Sequence, residues 1–120
     1  MNYFLIYIKM EDYIFVYGLF RDQSKRLLGK TTHCGKAFIS GRLWKVNEFY
    51  PGYTPDNNSK VWGDVFLFDS NLLPQMDEYE GDEYIRVRVR TSTDIDCWVY
   101  QYKGDVSDFD EIKSGDWYLR

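Results

Sequence analysis

Two short stretches carry residue types that can do chemistry together. Val16-Tyr17-Gly18-Leu19-Phe20-Arg21 is a strand running into a glycine turn. A glycine there lets the chain turn without a Cβ clash, and the amides that follow can point the same way and hold a small anion such as a carboxylate. Met76-Asp77-Glu78-Tyr79-Glu80-Gly81, with Tyr84 and Arg86 just beyond, puts a carboxylate, Glu80, at the end of a helix. Tyr79 and Tyr84 flank it. A carboxylate walled by aromatics loses hydration, which favours its neutral form and makes it a better base near neutral pH. The nearby Asp77, Glu78, Asp82 and Glu83 push the same way. A turn that holds an acid and a carboxylate that moves protons together suit acid–base chemistry on a small carboxylate-bearing molecule. Each stretch has a plainer reading too: an ordinary strand-to-loop turn, and a solvated acid in an acidic loop.

These residues need a scaffold, and the periodicity supplies one. Residues 13–17 form a near-continuous apolar run, as in a strand buried on both faces. Residues 3–8 read as a further strand. Asp22-Gln23-Ser24 offers caps for a short helix over 25–30, which Gly29 helps terminate. Residues 36–44 read as a strand that bends at Gly41, and 50–59, with two prolines and a glycine, as a loop. Residues 60–68 are a clear strand, with Gly63 where another backbone approaches closely. Asp69 or Ser70 caps the next helix, whose Leu72, Leu73, Met76 and Tyr79 follow three- and four-residue spacing toward a core. Pro74 falls in its first turns, where a missing N–H is harmless.

In 84–91, Ile85, Val87 and Val89 alternate with Arg86, Arg88 and Arg90, so the strand has an apolar and a basic face. The arginine face reads as solvated and paired with acidic neighbours. Arg86, Arg88 and Arg90 could instead recognise an acidic substrate group. Residues 96–102 form another strand, with Trp98, Tyr100 and Tyr102 on one side. The acidic tail from Gly104 holds a helical turn near 107–112 and ends in Trp117-Tyr118-Leu119, whose aromatics are offered to solvent. The sum is an α+β fold, a mixed, curved or barrel-like β-sheet with a few short helices. One domain spans 1–120, with 1–12 an N-terminal extension and 103–120 a C-terminal tail. Initiation at Met10 and an added edge strand at 3–8 are both open.

Composition bounds the function. A chain of 120 residues, 44% hydrophobic and 28% charged, fits one soluble domain. Aromatics at 19% favour strands. They could also stack on bases, but the net charge of −4 argues against a nucleic-acid partner, which calls for a basic stripe. Cys34 and Cys97 lie far apart without CxxC spacing, and His33 stands alone, so no metal site is expected. The apolar start MNYFLIYIK is too short to span a membrane and lacks a small-residue cleavage site, which points to the cytoplasm.

The order of several blocks resembles the γ-glutamyl cyclotransferase-like family, which includes AIG2-like proteins and γ-glutamylamine cyclotransferases. Ile14-Phe15-Val16-Tyr17-Gly18 is similar to the family's opening strand and Tyr-Gly-Ser/Thr-Leu loop. Gly41-Arg42-Leu43 with Tyr50-Pro51, and Val61-Trp62-Gly63-Asp64-Val65-Phe66, resemble its next blocks. Residues 73–81 with Tyr84-Ile85-Arg86 resemble the Leu-Asp-x-aromatic-Glu-Gly…Tyr-x-Arg signature, and Trp98-Val99-Tyr100 fits the closing strand.

The resemblance covers residues 13–102 and implies roles. Glu80 would be the catalytic acid–base. The main chain of Tyr17, Gly18, Leu19 and Phe20 would hold the carboxylate of a small γ-glutamyl substrate. Tyr84 would line the same pocket, and Arg86 belongs to the motif. The implied reaction releases 5-oxoproline and a free amine and needs no metal or cofactor. Residues 51–58 would shape the leaving-group side. The chain departs from the pattern at Leu19, where Ser or Thr is usual, at Phe20 for Leu, and at Met76 for Leu. Loss of the hydroxyl at Leu19 motivates an alternative, a non-catalytic small-molecule or protein-binding module that retains the pocket.

Overall fold

The strand β1 (Glu11–Val16) lies inside the sheet, and its consecutive Ile14, Phe15 and Val16 are all buried. Only a strand covered on both faces hides three successive side chains, because neighbours point to opposite sides. The computed structural model describes residues 10–18 and 29–120. Within them follow β2 (Thr32–Ser40), β3 (Arg42–Lys45), β4 (Pro51–Thr54), β5 (Lys60–Asp69), helix α1 (Leu73–Glu80), β6 (Tyr84–Arg90), β7 (Asp96–Tyr102) and β8 (Asp110–Glu111). The expected strand at 3–8, and residues 25–28 of the expected helix at 25–30, lie outside the described residues.

The sheet runs β2-β5-β1-β7-β4-β3-β8, with β6 also on β7. β1 is antiparallel to β5, from Glu11 opposite Asp69 to Val16 opposite Asp64. It is parallel to β7, with Ile14 opposite Trp98. β6 fills one edge of β7 along its whole length, Tyr84 opposite Tyr102 through Arg90 opposite Asp96. The other edge of β7 is shared. β1 holds it at Trp98, and β4, also parallel, holds it at Gln101 (opposite Tyr53). Where β1 leaves β7 and β4 arrives, the sheet splits, and Tyr17 and Gly18 lie at that split.

Each face of the sheet carries a core. On one face Phe15, Ile39, Val61, Val65 and Val99 pack together. On the other, Ile14, Val16, Phe66, Phe68 and Tyr100 receive Leu73 and Met76 from α1. Gly63 sits where β1 and β5 meet, and a Cβ there would collide with the Val16 carbonyl and the Phe15 ring. The bend expected at Gly41 separates β2 from β3.

Four expectations are corrected. The segment 50–59 is not all loop, since residues 51–54 form β4. Proline is tolerated as the first residue of a strand, and Gly52 lets the backbone approach Tyr102, whose Cβ would lie 2.8 Å from an added one. The tail has no helix at 107–112. It pairs as β8 with β3, Trp44 opposite Glu111, and returns Ile112 and Trp117 to the first core. Trp117 is therefore buried, while Tyr118 is exposed. Tyr79 is also exposed, so the buried stripe of α1 reduces to Leu73 and Met76 in its first half.

Candidate active site

Tyr17 is buried at the split. Its hydroxyl donates to the Tyr100 carbonyl of β7 at 2.6 Å and accepts the Tyr53 N–H of β4 at 3.2 Å. One phenol thus stands in for the backbone rung missing between β1 and β4. Burial raises its pKa well above the ordinary tyrosine value, so it stays a neutral donor. Gly18 follows with a φ outside the left-handed region. Its need for glycine is spatial, because an added Cβ would lie 2.9 Å from Pro51 Cγ. Gly18 therefore packs against the first residue of β4. Leu19 and Phe20 lie outside the described residues.

Glu80 is delivered by α1. The Asp69 carboxylate accepts the Asn71 N–H at 3.0 Å and caps a single 3-10 turn, Ser70–Leu72, that leads into the helix. Pro74 sits in the first turn of α1. The helix stops at Gly81 with φ 77°, whose N–H donates to the Asp77 carbonyl at 3.1 Å. Glu80 is its last residue and is half-buried. Burial pushes its carboxyl up from 4.5 to about 7. Its charge in turn helps raise the phenols of Tyr17, Tyr84 and Tyr100. For each phenol burial is the larger cause.

Tyr84, the first residue of β6, donates its hydroxyl to the Pro51 carbonyl at 2.8 Å. The residue that packs on Gly18 is thereby tied to the strand following Glu80. Tyr17, Gly18, Tyr84 and Glu80 are thus brought to one end of the sheet.

Arg86 has a different partner. Its guanidinium makes two bonds to the Asp77 carboxylate, at 2.8 and 3.0 Å, and stacks 4.1 Å from the Trp98 ring centroid. Asp77 also accepts the Tyr100 hydroxyl at 2.7 Å. Arg86 first, and Tyr100 after it, hold the Asp77 carboxyl below its ordinary value. The arginine offered to substrate by the sequence is engaged in fastening the helix to the sheet. Arg88 pairs with Asp12, which also accepts the Trp98 indole N–H at 3.0 Å, and Arg90 pairs with Asp94 and Asp96. The arginine face is paired with acidic neighbours, as its alternation suggested.

Sequence reasoning missed Tyr100, Asp77 as an anchor, and the Tyr17 bridge. The only signal available for Tyr100 was its place on one face with Trp98 and Tyr102. Among the described residues no group of three or more His, Cys, Asp or Glu side chains could hold a metal ion, and no helix is long and apolar enough to cross a membrane.

The family model "Gamma-glutamyl cyclotransferase, AIG2-like" matches residues 14–119, reaching into the tail beyond the blocks recognised by eye. No protein of curated function matches the sequence. Among solved structures, protein ytfP from Escherichia coli is 32% identical, with a TM-score of 0.71 over 88% of this chain and 95% of its own. An AIG2-like protein from Mus musculus is 21% identical, with a TM-score of 0.70 over 82% of each chain. A structure titled gamma-glutamyl cyclotransferase is 17% identical, with a TM-score of 0.63 over 85% of this chain and 70% of its own. The last two speak to fold alone.

Proposed function

Because this chain belongs to the gamma-glutamyl cyclotransferase, AIG2-like family, we propose that it cyclises γ-glutamyl amides, releasing 5-oxoproline and a free amine. The observation that carries this reading is Glu80, a carboxylate raised to about 7 at the end of α1, beside Tyr17 and Tyr84.

The reaction needs a base, a held substrate and a returned proton. Ionised Glu80 takes a proton from the substrate's α-ammonium. The freed amine attacks the γ-amide carbon of the same molecule, forming the ring C–N bond. The tetrahedral centre collapses as the bond to the leaving amine breaks, Glu80 returns its proton to that nitrogen, and the ring nitrogen gives up its second proton, which the freed amine takes up as it becomes an ammonium. No proton is gained or lost overall. A carboxyl poised near 7 suits both halves, and acid–base catalysis of this kind contributes about 10²- to 10⁴-fold. Both reacting groups belong to one short chain, so holding it folded removes much of the entropic barrier. Main-chain amides of the turn at Gly18 hold the substrate carboxylate. Tyr17 and Tyr84, whose phenols stay protonated, both bond to the backbone of β4, whose Pro51 packs on Gly18.

The test is direct. Purified protein is incubated with γ-glutamyl amines of differing leaving group, and 5-oxoproline is measured. Turnover abolished by Glu80→Gln in a folded protein supports the reading. Leu19, which lacks the usual hydroxyl, favours the binding-module alternative, for which wild type and Glu80→Gln would bind a γ-glutamyl ligand alike without releasing product.

A further inference from the structure

We propose that Tyr100 is the positioning residue of the site, its two oxygens setting the two catalytic segments against each other. This rests on the proposed cyclotransferase reading for its kinetic consequence, though not for its structural one. The backbone carbonyl of Tyr100 accepts the Tyr17 hydroxyl at 2.6 Å and so fixes the end of β1, where the anion-holding turn begins. The side-chain hydroxyl of the same residue donates to Asp77 Oδ1 at 2.7 Å, one helical turn before Glu80.

The helix needs this support at its C-terminal end. The buried apolar residues of α1, Leu73 and Met76, lie in its first half, and no basic residue stands in its last turn. Tyr79 is 54% exposed. Asp77 is thus the polar anchor of the turn that bears Glu80, and its two side-chain partners differ in kind. Arg86 is a long, flexible side chain. Tyr100 is 7% exposed and packs among Ile14, Val16, Phe66 and Met76, so its ring has one place to be. A phenol fixed by packing at its body and by hydrogen bonding at its tip is a rigid reference.

Tyr100→Phe deletes the hydroxyl while keeping the ring and the carbonyl, so it releases the helix end and spares the β1 end. In the turnover assay it should lower kcat between about 10- and 100-fold, as small misplacements do, with KM within about twofold. Tyr17→Phe loosens the opposite side and should instead raise KM. A second readout does not depend on turnover. Carbon-13 NMR titration of Glu80 should show its midpoint fall by about half a unit or more in Tyr100→Phe as the freed helix end hydrates. Asp77→Ala should reproduce that shift, and so replaces Tyr100→Phe if the latter fails to fold. Arg90→Gln should leave it unmoved. A residue that only stabilises the fold would lower Tm and leave the Glu80 midpoint and the kcat–KM split as they are. An unchanged midpoint in folded Tyr100→Phe or Asp77→Ala overturns the proposal. Absence of 5-oxoproline from the wild type overturns the functional reading instead, and the titration still decides the role of Tyr100.

Discussion

Asp77 and Glu80 stand one turn apart on the same helix, and their surroundings push them in opposite directions. Asp77 faces β6 and β7, where Arg86 and the Tyr100 hydroxyl hold its carboxyl below 3.8. Glu80 ends the helix, where burial lifts its carboxyl from 4.5 to about 7. Two carboxylates of similar chemistry are thereby given two tasks. One stays charged and fastens the helix, while the other titrates near neutrality and suits the proton transfers proposed for it. Divergent environments for neighbouring acids are a recognisable mark of divided labour in a site.

The largest effect should come from Glu80→Gln. Removing the proton-mover should lower kcat by about 10²- to 10⁴-fold, measured as 5-oxoproline release. The same variant should gain stability at pH 8. A carboxyl whose folded pKa is raised supports the fold fully below its unfolded value of 4.5, and that support fades as pH rises to about 7. Above 7 the wild type keeps a charge in a poorly hydrated place and glutamine does not. The gain should be on the order of 1–3 kcal/mol at pH 8 and near zero at pH 4. Urea melts at the two pH values would show it, and equal gains at both would contradict the burial assigned to Glu80. In the wild type, kcat/KM should rise with pH through a midpoint of about 7 and then level.

A smaller effect belongs to the other carboxylate. Its folded pKa is depressed, so its contribution is present above the unfolded value of 3.8 and is lost as pH falls through the folded one. Arg86→Gln should remove about 1 kcal/mol at pH 7, because the Arg86 side chain is only 22% exposed while Asp77 is 43% exposed and partly screened. The loss should shrink as pH falls below 3.8. Denaturant midpoints across that range test it, and a loss independent of pH would mean that stacking on Trp98 (4.1 Å) carries the interaction instead. Gly18→Ala should cost a similar amount, about 1–2 kcal/mol, through its approach to Pro51, and should raise KM more than it lowers kcat.

The sequence told the two sides of this comparison unequally. Alternation marked β6 and β7 closely, and the unbroken apolar run of β1 announced a strand covered on both faces, because such patterns reflect burial directly. Glu80 could be singled out from its aromatic flanks and its helix end. Its partner in the division could not, since the link from Asp77 to Tyr100 spans 23 residues and depends on the register that brings β7 under α1. The Tyr17 bridge spans 83 residues to Tyr100 and depends on where β1 and β4 exchange places along β7. Pro51 and Gly52 concealed β4, because turn-forming residues also serve at a strand start and at a close approach. Trp117 was misread as exposed because the return of the tail to the core rests on β8, a pairing of two residues.

The smallest effect should come from the far end of β6, which sharpens the comparison by removing the buried support. Arg90 pairs with Asp96 at 3.0 Å and with Asp94 at 3.5 Å, much as Arg86 pairs with Asp77. Yet the Arg90, Asp94 and Asp96 side chains are 60%, 88% and 63% exposed, and among the described residues no tyrosine hydroxyl bonds to them. Water screens such pairs and side-chain ordering offsets what attraction remains, so their worth is about 0–0.5 kcal/mol. Arg90→Gln should therefore leave the denaturant midpoint and kcat close to wild type, and 1 M salt should erase what difference there is. If Arg90→Gln instead matched Arg86→Gln in stability and activity, charge pairing along β6 would act as one ladder, and the Tyr100-backed anchor at Asp77 would lose its special standing.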